Sequence, residues 1–329
     1  MPATDSAPDS PTLDPTPTWT KATVVLNRES GAVSSLGPET LVEDLKAEFL
    51  KNGITATVHL VKGSELEATL KQARDDDSDA VVVGGGDGTV AAAAALLAGG
   101  DKPLGVLPFG TFNIVARDLN IPLDWQEAVA ALATASPTRM DLMEVNGGLY
   151  CCVCVLGFFP ALKMAQPEHH GNWVVRTLQT CWLGLRSMAT FPPLDLKLML
   201  DGKEIHRRTR FALLANNDYE EMFGLIPKRK SINGGYFTIY VSNHRTNIGM
   251  TRALISWILG RFKQDKELTI FHTDELDIVV RRKGVIPVMV DGEVKKLTSP
   301  LKIRTRPQEL CVLAPAETKE NVEHEKAEP

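Results

Sequence analysis

The run Val81-Val82-Val83-Gly84-Gly85-Gly86-Asp87-Gly88-Thr89 concentrates residues suited to holding an anion. Glycines after a buried strand let backbone N–H groups approach a polyphosphate without interference from Cβ atoms. A helix expected from about Val90 would point its unsatisfied N–H groups and positive dipole end at the same place. Asp87 can orient the loop or a metal ion, and Thr89 can cap the helix or bond a phosphate. The turn can equally serve tight packing alone. It is neither a Walker A loop nor a GxGxxG fingerprint, since no Gly-Lys-Ser/Thr or matching spacing follows. Farther along, Asp291-Gly292 by itself reads as the turn of a hairpin joining residues 285–290 to 294–297.

Alternating strands and helices are expected to position the glycine run. Strands are expected at 22–26, 55–61, 80–83 and 104–107, and helices at 38–52, 64–74 (capped by Ser64), 90–98 and 113–119. Such alternation implies a parallel sheet with right-handed crossovers. After Met140 the pattern turns to strands at 144–155, 194–200, 210–215, 236–241, 275–281, 285–290 and 310–313. Longer helical patterns at 172–190 and 247–262 interrupt them, which fits a mainly antiparallel β domain with helical insertions. The expected organisation is a disordered extension at 1–20, an α/β domain at 21–140, a β-rich domain at 141–314 and a disordered charged tail at 315–329.

Charge is divided unevenly. The net charge is −5, but residues 1–145 carry 10 Lys+Arg against 21 Asp+Glu, whereas residues 146–314 carry 24 against 15. The acidic total argues against a general nucleic-acid binder, and the basic second half points to an anionic surface or ligand. Cys151, Cys152, Cys154, Cys181 and Cys311 form neither a CxxC pair nor a disulfide framework, and read as buried thiols of a reducing compartment. His169-His170 has no third ligand in reach and reads as a surface loop. The Pro/Ser/Thr/Asp-rich N-terminus lacks the basic and apolar regions of a signal peptide. The uncharged stretch 145–162 is broken by Gly and Pro, so no transmembrane segment is expected.

Beyond Thr89, the run Leu107-Pro108-Phe109-Gly110-Thr111-Phe112-Asn113-Ile114-Val115-Ala116-Arg117-Asp118-Leu119-Asn120-Ile121-Pro122 completes a GGGDGT…LPxGTxNxxARxLxIP pairing. That pairing resembles the diacylglycerol kinase catalytic family, which includes bacterial lipid kinases and sphingosine kinases. Asn27-Arg28-Glu29-Ser30-Gly31 looks like the family's first-strand Asn-Pro-x-x-Gly, and Asp291-Gly292-Glu293 like its Asp-Gly-Glu segment. The resemblance spans about residues 22–314 and implies a phosphofructokinase/NAD kinase-like α/β domain, a β-rich substrate domain and a nucleotide cleft between them. It further implies ATP and Mg²⁺ as cofactors. Gly84, Gly85, Gly86 and Gly88 would hold phosphates, with Asn27, Ser30, Gly31, Ser64, Asp87, Thr89, Thr111 and Asn113 completing the cleft. Asp291 would take the proton of a lipid hydroxyl, and Glu293 would help bind Mg²⁺ or tune Asp291. Two departures stand out. Ala91-Ala92 replaces an Asn-Glu pair common in the family, and Ile232-Asn233 replaces an acidic pair with which some relatives bind a structural Mg²⁺. Asn216-Asn217 and Asp218-Tyr219-Glu220 are available to shape the acceptor side.

The implied function is an ATP-dependent lipid kinase acting on diacylglycerol or a related amphiphile. The alternatives are a catalytically weak nucleotide or lipid sensor and a soluble NAD kinase-like enzyme. The expected partner is a lipid substrate at a membrane surface, with a second copy of the chain as a candidate homodimer partner. The expected location is the cytoplasm, peripheral at the inner membrane face. The Trp- and Arg-flanked apolar helices at 172–190 and 247–262 suit either an interface or a protein core.

Overall fold

Four short strands build one edge of the molecule: β1 (Lys21–Asn27), β2 (Thr55–Val61), β3 (Ala80–Gly85) and β4 (Leu104–Pro108). They lie parallel in the spatial order β2-β1-β3-β4. β3 and β4 are apolar and buried throughout, as expected of parallel strands covered on both faces. The helices are α1 (Gly31–Leu36), α2 (Pro38–Lys51), α3 (Gly63–Asp75), α4 (Asp87–Leu97), α5 (Ile114–Asp118) and α6 (Trp125–Thr134). α2 opens with Pro38 and buries Leu41, Leu45 and Phe49, one stripe at helical spacing. The computed structural model describes residues 19–160, 191–200, 202–224, 227–281 and 284–315.

The second half is a two-sheet sandwich. In chain order it comprises β5 (Ser136–Val145), β6 (Gly148–Tyr150), β7 (Val153–Gly157), β8 (Leu194–Leu200), β9 (Lys203–Thr209), β10 (Phe211–Asn216) and β11 (Phe237–Ser242). Helix α7 (Asn247–Ile258) follows, then β12 (Leu268–Thr273), β13 (Glu275–Val280), β14 (Val285–Val290), β15 (Glu293–Thr298) and β16 (Leu301–Ala314). One sheet runs β12-β11-β10-β7-β14-β15, and the other continues the parallel strands as β4-β16-β13-β8-β9. Leu196, Leu198, Leu214, Ile239, Ile278, Val288 and Ile303 fill the space between the sheets. β16 is the long member that joins both halves. Its first residues pair with β13, Val312 pairs in parallel with Leu104 of β4, and β5 runs along the whole strand. A bulge between Arg306 and Leu310 bends it, and buried Asp141 accepts the Gln308 N–H there at 2.8 Å.

Several elements differ from the sequence expectation for identifiable reasons. The single strand expected at 144–155 is three pieces, because Asn146 and Gly147 turn with positive φ and Cys151-Cys152 leave the ladder to bond elsewhere. The helix expected from about Val90 starts at Asp87, with Gly86 at its N-cap. Ser64 does not cap its helix. Lys62 occupies the N-cap, Glu65 reaches back to the Lys62 N–H at 3.0 Å, and Ser64 is exposed. The 247–262 pattern ends at Ile258, since Gly260 turns out at φ +63 before a short 3₁₀ turn at Phe262–Gln264. The last strand extends back from 310 to Leu301. α1, α6, β9 and β12 were not anticipated; α6 was signalled by Asp124, which accepts the Gln126 and Glu127 N–H groups. The boundary expected after residue 140 falls inside β5, and β16 returns to the first sheet. The 172–190 pattern, His169-His170, Cys181 and most of both terminal segments lie outside the described residues.

Leu310 is fully buried where β16 enters the first sheet. Leu310→Ala is expected to cost about 2–5 kcal/mol in urea unfolding, a loss centred on the joint between the two halves.

Candidate active site

Because β1 has β2 on one side and β3 on the other, the chain leaves β1 and β3 in opposite directions, opening a crevice at their carboxyl ends. The loops bordering it are tied together by side chains. Asn27 Nδ2 donates to Thr89 Oγ1 at 3.1 Å, and Asn27 Oδ1 accepts the Glu29 N–H at 3.0 Å. Ser30 Oγ donates to the Phe109 carbonyl at 2.6 Å. Asp87 Oδ1 accepts the Ile114 N–H at 2.8 Å, linking the glycine run to the 107–113 loop. Asn113, in a left-handed conformation at φ +51, accepts the Gly110 N–H at 2.7 Å and donates to the Pro108 carbonyl.

The glycines divide into two kinds. A Cβ on Gly84 would stand 2.4 Å from Leu26 Cδ2, and one on Gly85 would stand 2.5 Å from Thr89 Oγ1. These two are demanded by packing. A Cβ on Gly86 would meet nothing within 4 Å, so this glycine borders open space at the head of α4, where the Asp87 and Gly88 N–H groups lack intrahelical acceptors while that of Thr89 bonds the Gly86 carbonyl at 2.9 Å. Gly88 faces the other half of the molecule, its Cβ position only 2.9 Å from Glu293 Oε1. Gly31 begins α1 with open space beside it. Thr111 and Ser64 are exposed, and no side-chain hydrogen bond ties either into the cluster. The backbone N–H of Gly63, next to Ser64, bonds Glu29 at 3.0 Å and brings the head of α3 beside the β1 loop.

Asp291 is indeed a hairpin residue. With Gly292 it forms the turn from β14 to β15, both at positive φ. Its carboxylate is nonetheless buried and held by three consecutive amides. Oδ2 accepts the Cys151 N–H at 2.6 Å, while Oδ1 accepts those of Cys152 and Val153 at 2.8 and 2.9 Å. Burial raises its pKa above the ordinary carboxylate value, and the three amides offset part of that rise. The neighbouring thiols of Cys151 and Cys152 are pushed well up by burial and by the Asp291 charge, so they stay protonated.

Behind this cradle lies an ion pair that the motifs did not single out. Arg229 and Asp118 are both buried, with Nε to Oδ2 at 2.7 Å and the Arg229 N–H on Oδ1 at 3.1 Å. Arg229 Nη1 donates to the Cys151 carbonyl at 3.0 Å, and Asn216 Nδ2 donates to the same carbonyl at 3.1 Å. Burial works against the guanidinium charge, but Asp118 drives its pKa up and holds it protonated. Asp141 accepts the Gly235 N–H at 2.6 Å, and Asn233 bonds Ser231 within the same loop. Asp118 stood only at a variable position of the ARxLxIP run, Arg229 read as part of the basic cluster Lys228-Arg229-Lys230 rather than as a buried partner, and no periodicity marks a polar pair separated by 111 residues. Buried polar atoms of Asn216, Asn217 and Thr238 lack protein partners.

The crevice at the carboxyl ends of β1 and β3 thus borders, through Gly88 and Glu293, the hairpin that carries the buried Asp291 carboxylate. Residues 21–145 match the family described as diacylglycerol kinase catalytic domain, and residues 163–314 match the YegS C-terminal NAD kinase beta sandwich-like domain. The chain belongs to the diacylglycerol kinase catalytic family. It is 25% identical over 219 residues to a Staphylococcus haemolyticus protein whose name assigns it provisionally to the lipid kinases, covering 64% of this chain and 68% of that protein. It is 26% identical over 191 residues to a diacylglycerol kinase of Staphylococcus aureus, covering 58% of this chain and 59% of that one. The chain thus spans about three fifths of that relative's length. A crystal structure of a diacylglycerol kinase from Bacillus anthracis superposes with a TM-score of 0.68 over 92% of this chain and 99% of the other. At 16% identity this likeness concerns the fold.

Two pairs of variants separate packing from binding. Gly84→Ala is expected to destabilise the protein by about 1–3 kcal/mol through the clash with Leu26. Gly86→Ala should leave thermal unfolding nearly unchanged but weaken binding of a fluorescent ATP analogue. Arg229→Met alone leaves Asp118 buried and uncompensated, a loss of roughly 3–5 kcal/mol in chemical denaturation. Asp118→Leu with Arg229→Met should recover most of it.

Proposed function

We propose that this kinase transfers the γ-phosphate of ATP to a hydroxyl of diacylglycerol or a related amphiphile, with Asp291 as general base. The observation that carries this reading is the Asp291 carboxylate, fixed by three amides and joined by its own hairpin, through Glu293, to the glycine run. The donor side fits a nucleotide. Gly86 borders open space at the head of an eleven-residue helix, and Asn27, Ser30 and Asn113 spend their side chains fixing the loops around it. The helix dipole and free amides favour the β- and γ-phosphates there. No group of three or more His, Cys, Asp or Glu side chains forms a metal site among the described residues. Two carboxylates, Asp87 and Glu293, border Gly88, which suits a Mg²⁺ completed by phosphate oxygens and water. Such an ion would neutralise charge on the transferring group.

On the acceptor side, Oδ1 of Asp291 is filled by two amides while Oδ2 accepts one, so Oδ2 keeps a lone pair for the hydroxyl proton. The hydroxyl oxygen forms a bond to the γ-phosphorus as the bond from that phosphorus to the β,γ-bridging oxygen breaks. ADP departs, and the proton passes to Asp291. The raised pKa makes Asp291 a stronger base than an exposed carboxylate once ionised. A sensor that binds without turnover is the competing reading, favoured by Ala91-Ala92 in the second turn of α4 and by Ile232-Asn233 in place of an acidic pair.

Transfer of labelled γ-phosphate into a mixed-micelle panel of diacylglycerol, monoacylglycerol, sphingosine, ceramide and undecaprenol, with NAD as soluble control, is the direct test. Label in one lipid supports the reading, label only in NAD overturns the lipid acceptor, and binding of ATP without any label favours the sensor. Asp291→Asn should lower turnover by at least about a hundredfold with nucleotide affinity intact. Because the base must be ionised, turnover should fall as pH drops through the folded-state pKa of Asp291, with its acid limb above the ordinary carboxylate range.

A further inference from the structure

Helix α5 has only five residues, yet each of its ends is tied to a different part of the site. At its head, the Ile114 N–H donates to Asp87 of the glycine run at 2.8 Å. At its foot, Asp118 accepts Arg229 Nε at 2.7 Å and the Arg229 N–H at 3.1 Å. Four helical steps separate the two ends, a rise of about 6 Å. Just beyond the helix, Asn120 Oδ1 accepts from Lys228 Nζ at 2.5 Å. The loop bearing Lys228 and Arg229 belongs to the second half of the chain, and these bonds clasp it to the lobe that carries the glycine run.

Arg229 passes that hold to Asp291 through a single peptide. Its Nη1 donates to the Cys151 carbonyl at 3.0 Å, and the N–H of the same planar unit, that of Cys152, donates to Asp291 Oδ1 at 2.8 Å. The next peptide is held alike. The Asn216 N–H donates to the Cys152 carbonyl at 2.8 Å, and the Val153 N–H donates to Asp291 Oδ1 at 2.9 Å. A carbonyl that accepts from a cation polarises the N–H of its own peptide, which strengthens the bond on the far side. Asp291 Oδ1 is therefore fixed by two peptides whose own carbonyls are anchored.

Stability does not account for the ion pair. Apolar residues of similar volume in place of a buried pair are often neutral or stabilising. Nor does the Cys151 carbonyl depend on the guanidinium for a donor, since Asn216 Nδ2 reaches it at 3.1 Å. We propose that Asp118 and Arg229 are positioning residues of the transfer reaction: through α5 and the Cys151–Cys152 peptide they set the place of the Asp291 carboxylate relative to the glycine run. The proposal rests on the reading of Asp291 as the base. A base and a transferring group must keep a fixed separation, because a misplacement of about 1 Å can cost about a hundredfold in rate. α5 with the ion pair is a spacer of fixed length between them.

The test is turnover of the full chain with a lipid that accepts label from ATP. Asp118→Leu with Arg229→Met should unfold in urea as cooperatively as wild type, while kcat falls at least about thirtyfold and the KM for ATP stays within about twofold. Arg229→Lys keeps a charge opposite Asp118 but donates through one nitrogen instead of a planar fork, and should lose about tenfold in kcat at the same KM. In an Asp291→Asn background neither change should lower kcat by more than about threefold further, since residues acting through that carboxylate have nothing left to place. Side chains that only hold the fold together would lower the unfolding midpoint and leave kcat of the folded protein alone. Wild-type turnover by either folded variant, a loss carried by the KM for ATP, or the full loss repeated on top of Asp291→Asn would each overturn the positioning role alone. Asp291→Asn turning over as fast as wild type would overturn the base reading, and no label in any lipid the kinase reading, each taking the positioning role with it.

Discussion

Three amides in a row donate to one carboxylate, and much of the second half is arranged around that fact. A strand cannot keep its ladder while Cys151, Cys152 and Val153 all turn their N–H groups to Asp291, so the chain breaks between β6 and β7 there. Breaking the ladder frees the carbonyls on the other side of the same peptides. Arg229 and Asn216 take the Cys151 carbonyl, and the Asn216 N–H takes that of Cys152. Asp118 then answers the Arg229 charge. Each buried polar group creates the need for the next, and the sequence of needs ends only when every charge has an opposite or a set of amides.

The same logic explains which glycines can vary. Gly84 and Gly85 are fixed by neighbours within the first lobe, Leu26 and Thr89, and belong to the fold. Gly86 and Gly88 are not fixed by packing within that lobe: one borders open space and the other faces Glu293, at the candidate site. One short motif therefore holds two unrelated constraints. That division is invisible in a string of letters where every position reads the same.

Legibility from sequence followed chemistry more than geometry. β3 and β4 were legible because complete burial forces uninterrupted apolar runs, and the half-exposed edge strand β2 was recovered to the residue. The glycine run stood out by its residue types, whereas Asp291 was singled out only through the family resemblance, since Asp-Gly alone reads as a hairpin turn. Ser64 misled because a serine before an apolar pattern is a common cap, whereas here Glu65 bonds back to Lys62 and does the capping. β9 was missed because a half-exposed edge strand such as KEIHRRT carries little apolar signal. Cys151 and Cys152 looked like plain core residues since their contribution is made by backbone amides, which no side-chain pattern encodes. Arg229 and Asp118 find each other only after the chain has folded.

β16 has a consequence for how the protein is made. β4 is apolar throughout, and its outer edge is covered by a strand from the far end of the folded region, through the Val312–Leu104 pairing. As the polypeptide leaves the ribosome, the nucleotide lobe can assemble its helices early, yet it must wait for some two hundred further residues before that edge is sealed. During that interval it carries an open, water-averse strand margin, a ready template for another chain. Ordered synthesis, and whatever shelters the nascent chain, thus matter more for this protein than its division into two lobes would suggest.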